Sequence, residues 1–432
     1  MKSIKIGMAK TDITPELNCR LYGYVDIRYG RRVLDPLSVG AVAIEQDGQR
    51  VLMMSADICT INDDDGLRDK IAEATGVNKE HIFYSCIHTH SGPTTRSSAG
   101  WGDANTEYID KILTPKSIEA ASRALESMTD AVVGIGKTES YAGVNRREVA
   151  PNGEILLGQN PDAPYDPTMT AITFKTVSGE NIGTIIHFAE HPTAVGINLS
   201  ITRDWPGYVI DRIEELSGAP CMYINGAQGD IGPRLSNGRT YTDEFYLEEN
   251  GLIAAADAER AYLSITDFTV PELKTETAEI EYIYAPLPSV EEIDKMIEAL
   301  GDPEKLYLTD ITRYAQLNTL KDALLSGKEF PKGKKTVQTV LALGDLAMVP
   351  YRFEAFCQIA LDLRARSPFG ETLLLGLTPG SFAYLPTKEQ IPYGGYEIGS
   401  FRASSVPQFD DNLADHLLNE NIKLLTKLYN KK

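Results

Sequence analysis

Two pairs of histidines, each at the end of an apolar run, suggest a metal site. Among the six histidines of the chain, His88 and His90 stand two apart in the segment IHTHS, directly after an apolar run. Residues two apart on a strand face the same side, and α/β proteins keep their chemistry at strand ends. His187 and His191 form a second pair at the end of another apolar, β-branched run. We therefore predict one imidazole-lined metal site.

Zinc suits this inventory, because it binds imidazole nitrogen and carboxylate oxygen and leaves one position for water in catalytic sites. Of His88 and His90, we expect one to bind the metal and the other to contact substrate or to lie behind the ligands. The alternative is a pair of polar strand-end histidines that hydrogen-bond to loops. The preference of histidine for metal and catalytic roles favours the first interpretation.

The second pair also spells HxxEH, a metalloprotease pattern in which a helix places both histidines on one face. The context favours a strand instead, because residues 184–186 are β-rich and Pro192 follows His191 directly. Strand residues four apart lie about 13 Å from each other, too far to share one ion. We therefore predict His191 alone as a ligand and His187 as a structural residue.

Three aspartates near these segments have two interpretations. Asp57 ends an apolar run, and Asp204 and Asp230 lie in loops after the histidine and glycine segments. Each could orient an imidazole as an outer carboxylate partner. Each could equally cap a turn or a helix. The residues alone leave both roles open.

Apolar runs alternate with helical patterns along the chain, which favours an α/β fold. Three β-hairpins are predicted, at 39–45 with 50–56, 170–176 with 182–188, and 336–343 with 346–349. Single strands are predicted at 81–87, 220–224 and 372–377. Helices are predicted at 63–74, 207–216, 243–263, 304–325 and 353–366, and Glu354 would lie in the first turn of the last. The turn-rich stretch 378–408 is expected to be a long functional loop.

The composition narrows the class of partner. A formal charge of −19 and a pI near 4.8 argue against binding to nucleic acid or to an anionic membrane surface. No segment approaches the roughly 18 apolar residues of a membrane span, and the N-terminus lacks a signal-length apolar run. We expect a cytoplasmic protein that has a small-molecule substrate and no stable membrane association. The sequence is compatible with a homo-oligomer.

Ordered motifs over most of the chain resemble the catalytic domain of the neutral, or alkaline non-lysosomal, ceramidase family. The matching segments are GMAKTDITP (7–15), HTHSGP (88–93), NRR (145–147), FAEHPT (188–193), QGDIGP (228–233), PYRFEAF (350–356) and the tyrosine stretch 384–397. The resemblance implies a layered, mixed-sheet α/β catalytic domain of neutral-ceramidase type, here without that family's C-terminal β-sandwich. We expect residues 1–432 to form one such domain, with a weak internal boundary near 264–276.

The resemblance also implies roles for individual residues. Its metal ligands fall on two histidines, a glutamate and a tyrosine of this chain: His88, His191, Glu354 and Tyr384. Its catalytic residues at the reaction centre fall on His90, Arg146 and Tyr396.

The activity that the resemblance implies is zinc-dependent hydrolysis of an amide or ester carbonyl by a metal-activated water. Gly232 stands where the family has a serine, so one hydroxyl of the substrate region is absent. This departure and the acidic composition predict a smaller, more soluble substrate than ceramide. The alternatives are a metal-dependent carbohydrate or glycan-modifying enzyme, such as a deacylating esterase, and a catalytically silent binding protein.

Overall fold

A computed structural model of the chain describes residues 3–62, 66–99, 101–234 and 243–431. The strands are, in chain order, β1 (Lys5–Asp12), β2 (Arg20–Leu21), β3 (Arg28–Tyr29), β4 (Arg32–Val33), β5 (Ser38–Gln46), β6 (Gln49–Ala56), β7 (Ile82–Cys86), β8 (Thr129–Glu139), β9 (Gly143–Asn145), β10 (Arg147–Val149), β11 (Ile155–Leu157), β12 (Thr168–Thr176), β13 (Asn181–Phe188), β14 (Ser200–Ile201), β15 (Cys221–Asn225), β16 (Ile231–Pro233), β17 (Leu273–Ile283), β18 (Gly333–Leu343), β19 (Leu346–Pro350), β20 (Glu354–Ala355), β21 (Glu371–Leu375) and β22 (Tyr384–Leu385).

The α-helices are α1 (Leu67–Thr75), α2 (Thr106–Tyr108), α3 (Thr114–Glu126), α4 (Trp205–Ser217), α5 (Glu244–Leu263), α6 (Val290–Leu300), α7 (Thr309–Leu325), α8 (Cys357–Arg366), α9 (Tyr396–Arg402) and α10 (Leu413–Tyr429). A π-helical segment, Ile109–Leu113, joins α2 to α3. Among the described residues, no helix combines the length and the apolar composition that crossing a membrane requires.

Eight strands form one mixed sheet in the order β15-β13-β12-β8-β1-β5-β6-β7. The predicted hairpins are confirmed, since β5 pairs antiparallel with β6 and β12 pairs antiparallel with β13. The outer pairs, β6 with β7 and β13 with β15, are parallel. Residues of β6, β7 and β15 are buried almost throughout, because both faces of this sheet are covered.

A second sheet, ordered β17-β18-β19-β21, packs face to face against the first. Val42 and Met53 of the first sheet share one buried cluster with Leu341 and Met348 of the second. Helices α1, α3, α4 and α5 cover the outer face of the first sheet, and α8 and α10 cover that of the second. The result is a layered arrangement of helices, sheet, sheet and helices, which confirms the predicted layered, mixed-sheet α/β class.

Several helices begin later in the structure than the sequence predicted. The predicted helix 353–366 begins only at Cys357, because Glu354–Ala355 forms strand β20 and pairs in parallel with β22. The predicted helix 304–325 begins at Thr309, after Leu308 with a φ of 51°. Residues 63–65, predicted to start a helix, lie outside the described residues, and α1 begins at Leu67. The stretch predicted as a loop, 378–408, contains β22 and α9.

Asn225, at the end of β15, joins the loops that leave two other strands. Its side-chain nitrogen donates to the carbonyl oxygen of Ile87, at 3.0 Å, and to that of Glu190, at 3.2 Å. These carbonyls belong to the residues directly before His88 and His191. One buried amide therefore holds both histidine loops at the same end of the sheet.

Asn225→Asp is expected to lower the free energy of unfolding by about 2–4 kcal/mol. The substitution removes two buried N–H donors and places a carboxylate oxygen, which can only accept, opposite two carbonyl oxygens. Urea denaturation followed by circular dichroism measures this difference. Asn78→Asp is the matched control, since Asn78 is exposed and its side chain only accepts, from the backbone amide of Glu80. Equal stability of the two variants would contradict this role of Asn225.

Candidate active site

His88 reaches the site from a loop and not from a strand. Strand β7 ends at Cys86, and His88 has a φ of 75°, a conformation uncommon for a residue with a side chain. The prediction that strand alternation aligns His88 with His90 is therefore wrong, although the two Nε2 atoms do converge to 3.3 Å. His88 Nδ1 donates to the carbonyl of Cys59 at 2.9 Å, so Nε2 faces the site.

His191 is fixed in the same way by main-chain oxygens. The strand β13 ends at Phe188, as predicted, and the loop after it carries His191, which is fully buried. Its Nδ1 lies 2.7 Å from the carbonyl oxygen of Gln228 and 3.0 Å from that of Ile231. Because a carbonyl can only accept, Nδ1 carries the hydrogen and the Nε2 lone pair faces the site.

Glu354 and Tyr384 enter the site side by side, because they are directly opposite residues of the short parallel pair β20–β22. Glu354 Oε2 lies 3.2 Å from His88 Nε2 and 3.1 Å from His191 Nε2. The Tyr384 hydroxyl lies 3.3 Å from His191 Nε2. One ligand atom from each of His88, His191 and Glu354 falls within 4.8 Å of the others, so these three residues could hold a metal ion.

The charges at this centre suit a cation. Burial raises the pKa of Glu354, but the imidazoles of His88 and His191 outweigh it and hold that pKa well below its usual range. Burial and the charge of Arg146 lower the pKa of His191 to about 3, so this ring is neutral. Burial opposes protonation of His88, but Cys59 and Glu354 beside the ring raise its pKa well above the ordinary value. A bound cation would take the place of that proton.

His90 lies beside the three candidate ligands. Burial and the imidazoles of His88 and His191 lower the pKa of His90 well below its ordinary value, so the ring is neutral. Gly23 packs directly against it, and a Cβ at Gly23 would lie 2.4 Å from His90 Cγ. Only glycine at that position leaves room for the ring.

Arg146 is held by a buried ion pair that no sequence pattern predicted. Glu397 is 1% exposed and accepts from Arg146 Nε at 2.9 Å and from Arg147 Nη1 at 2.8 Å. The other end of the Arg146 guanidinium donates to the Tyr384 hydroxyl at 2.9 Å. Tyr396 lies beside Tyr384, with ring centroids 5.6 Å apart. The seven residues that the resemblance implies thus lie around one centre.

The remaining residues named from the sequence lie elsewhere. His187 is on strand β13, and its Nε2 donates to the carbonyl of Leu374 at 2.8 Å, which agrees with a structural role. Asp57 binds Ser38, Asp204 accepts from the backbone amides of residues 194, 195 and 205, and Asp230 accepts from Cys357 and Asn145. Within the described residues, none of the three aspartates contacts an imidazole. The prediction that one of them orients an imidazole is therefore wrong, and the capping role remains. Main-chain carbonyls orient the imidazoles instead.

Cys59 is a neighbour of the site that the sequence did not suggest. It is buried, and its Sγ lies 3.4 Å from His88 Nδ1. Cys59, His88 and His90 form a second group with ligand atoms within 4.8 Å of one another. The cysteine has no motif spacing to a histidine, because its loop and the His88 loop meet only in the folded chain.

Two cavities meet at the centre. The smaller, of about 100 Å³, reaches Glu354 and His88, and the larger, of about 280 Å³, reaches Arg146 and Gly232. They share five lining residues: Gly23, His90, Trp101, Tyr384 and Tyr396. The candidate ligands therefore lie at the base of a cleft with two arms.

The sequence matches no protein-family model and no curated protein. Solved structures, in contrast, share the fold. A neutral ceramidase from Pseudomonas aeruginosa superposes with a TM-score of 0.75 at 20% identity, over 99% of this chain and 75% of that chain. A ceramidase complexed with C2 gives a TM-score of 0.74 at 18% identity, over 99% of this chain and 76% of that chain. The resemblance seen in the motifs is confirmed at the level of the fold.

The two groups that share His88 can be separated by zinc binding. Glu354→Gln is expected to weaken zinc binding by more than about a hundredfold, because it removes a ligand charge and not merely an outer partner. Cys59→Ser is the matched control and is expected to weaken zinc binding by less than about a hundredfold, since only an outer contact is lost and the main-chain carbonyl that binds His88 Nδ1 remains. Isothermal titration of zinc into protein stripped with a chelator measures both constants. The reverse order of effects would move the metal to the group containing Cys59.

Proposed function

We propose that this protein is a zinc-dependent hydrolase that cleaves an amide bond of a small, soluble substrate, with ester cleavage by the same residues. The single observation that supports this most is the convergence of His88 Nε2 and His191 Nε2 on the carboxylate of Glu354. This convergence lies in a fold shared with neutral ceramidases.

The four residues proposed as ligands fit a zinc ion by their chemistry. His191 Nε2 and the Glu354 carboxylate oxygen lie 3.1 Å apart, and both are acceptors. Two facing acceptors repel each other unless a cation or a proton lies between them. Two imidazoles and a carboxylate are a common zinc ligand set, and the Tyr384 oxygen would add a fourth ligand. When bound, zinc supplies a Lewis acid that polarises the acyl oxygen and acidifies water.

The residues of the chain would divide the remaining work. His90, neutral and beside the ligands, would accept a proton from the attacking water and return it to the leaving nitrogen. Burial raises the pKa of the Tyr396 phenol above its ordinary value, so it stays protonated and can donate to the developing oxyanion. Arg146 holds the Tyr384 hydroxyl in place through a guanidinium that Glu397 fixes.

The larger cavity lacks one polar group that the ceramidase family has. Gly232 lines it, and a Cβ at this position would make only ordinary contacts of 3.5 and 3.6 Å with Arg146. The cavity thus has room for the serine of the family, and this chain lacks its hydroxyl. A substrate held by that hydroxyl would lose one hydrogen bond here.

The proposed activity is tested by turnover with and without metal. Protein purified without chelator is expected to hydrolyse short N-acyl amines, to lose this activity after treatment with dipicolinate, and to regain it with zinc. Elemental analysis of the same samples gives the metal content. Full activity in the metal-free protein would contradict the proposal. Turnover of acetylated sugars alone would favour the glycan-modifying alternative instead.

Tyr396→Phe is expected to lower kcat by about 10²- to 10³-fold with zinc content unchanged, because one donor to the oxyanion is lost. Tyr393→Phe is the matched control. Tyr393 lies in the same stretch of chain and is 62% exposed. Steady-state kinetics on one N-acyl amine compares the two variants. A loss of the same size in both, or none in Tyr396→Phe, would remove Tyr396 from the reaction centre.

A further inference from the structure

The two arms of the cleft differ in the chemistry of the side chains that line them. The carbonyl of an amide divides its substrate into an acyl half and an amine half. Both arms open at His90, Tyr384 and Tyr396, the residues placed around the reacting carbonyl. Each arm therefore receives one half of the substrate.

The larger arm is predominantly apolar. Val25, Leu157, Ile197 and Pro233 are among its lining residues. Its charged side chains are Asp26, which is exposed, and Arg146, which is paired with Glu397. Its volume of about 280 Å³ lies at the small end of ligand pockets, which span about 300–1,000 Å³. This small apolar space suits an acyl chain of a few carbons better than a long lipid chain.

The smaller arm is the more polar of the two, and an arginine lines it. Hydroxyl side chains line it, including those of Thr60, Ser98 and Ser400. The Arg96 guanidinium lines it too, and donates to the carbonyl oxygens of Ser381 and Phe382. Within the described residues, no carboxylate forms an ion pair with Arg96. Carbonyls satisfy some of its five donors and leave its charge without a counter-ion.

An arginine without a counter-ion stands out in a chain whose formal charge is −19. Its flat guanidinium matches a carboxylate geometrically and binds it with charge-assisted hydrogen bonds. The main-chain carbonyls that hold Arg96 come two and three residues before Tyr384. The guanidinium is thus anchored to the segment that carries a proposed zinc ligand, at a fixed position beside the reaction centre.

We propose that the substrate is the amide of a short apolar acid with an amine that carries a carboxylate, as in an N-acyl amino acid. This inference rests on the proposed amide hydrolysis. Arg96 binds the carboxylate of the amine half, and the larger arm holds the acyl chain. Water adds its hydroxyl to the acyl carbon, the C–N bond breaks, and the proton goes to the nitrogen. The products are a short fatty acid and an amino acid.

The test compares three amides on the zinc-loaded enzyme. These are N-hexanoyl-glycine, the neutral N-hexanoyl-ethanolamine, and the long-chain N-hexadecanoyl-glycine. The first is expected to have the highest kcat/KM. Arg96→Gln is expected to lower its kcat/KM by about 10- to 100-fold more than that of the ethanolamide, mainly through KM, because a charged hydrogen bond is lost. Arg96→Lys, which keeps the charge, is expected to restore part of this difference.

A positioning role of Arg96 would give a different pattern. If Arg96 only supports the segment before Tyr384, Arg96→Gln lowers kcat for the glycine and ethanolamine amides equally, which overturns the inference. Equal kcat/KM of the parent enzyme for these two amides overturns it as well. Calorimetric titration of N-hexanoyl-glycine separates the two proposals. Arg96-dependent binding without turnover of any amide would contradict the proposed hydrolysis while supporting carboxylate recognition.

Discussion

The convergence of two imidazole nitrogens on one buried carboxylate is the interaction on which the rest of the site depends. Glu354 is 8% exposed, and a charge buried to this extent is stable only when it is paired. The Nδ1 atoms of His88 and His191 donate to main-chain carbonyls, so their Nε2 atoms face the carboxylate. A divalent cation at the point where these acceptors meet resolves the repulsion between them.

This convergence requires the layered fold. The histidine loops leave strands β7 and β13 of the large sheet, whereas Glu354 and Tyr384 come from the chain that follows the second sheet's β19 and β21. The amide of Asn225 ties the two loops together, and the pairing of β20 with β22 sets Glu354 opposite Tyr384. Packing the two sheets face to face brings these halves to one point. No single segment of the chain contains the site.

Periodicity predicted much of the fold, because the hairpins and the buried strands have strong local patterns. It failed at Glu354, where two strand residues precede a helix and a tertiary pairing decides their conformation. It also placed His88 beside His90 correctly, but on the assumption of a strand. His88 has a left-handed backbone conformation, which no sequence pattern reveals. The partners of the imidazoles are main-chain carbonyls, which carry no sequence signature. Cys59 and Arg96 were missed because no motif marks them, and Glu397 was missed because its pairing with Arg146 forms only in the folded chain.

The most direct measurement is anomalous X-ray diffraction at the zinc edge, from crystals of protein purified without chelator. The expected result is one peak about 2.0–2.2 Å from His88 Nε2, His191 Nε2 and a carboxylate oxygen of Glu354. A peak at another group of residues, or a crystal whose density shows these three side chains directly bonded with no ion between them, would contradict the metal centre.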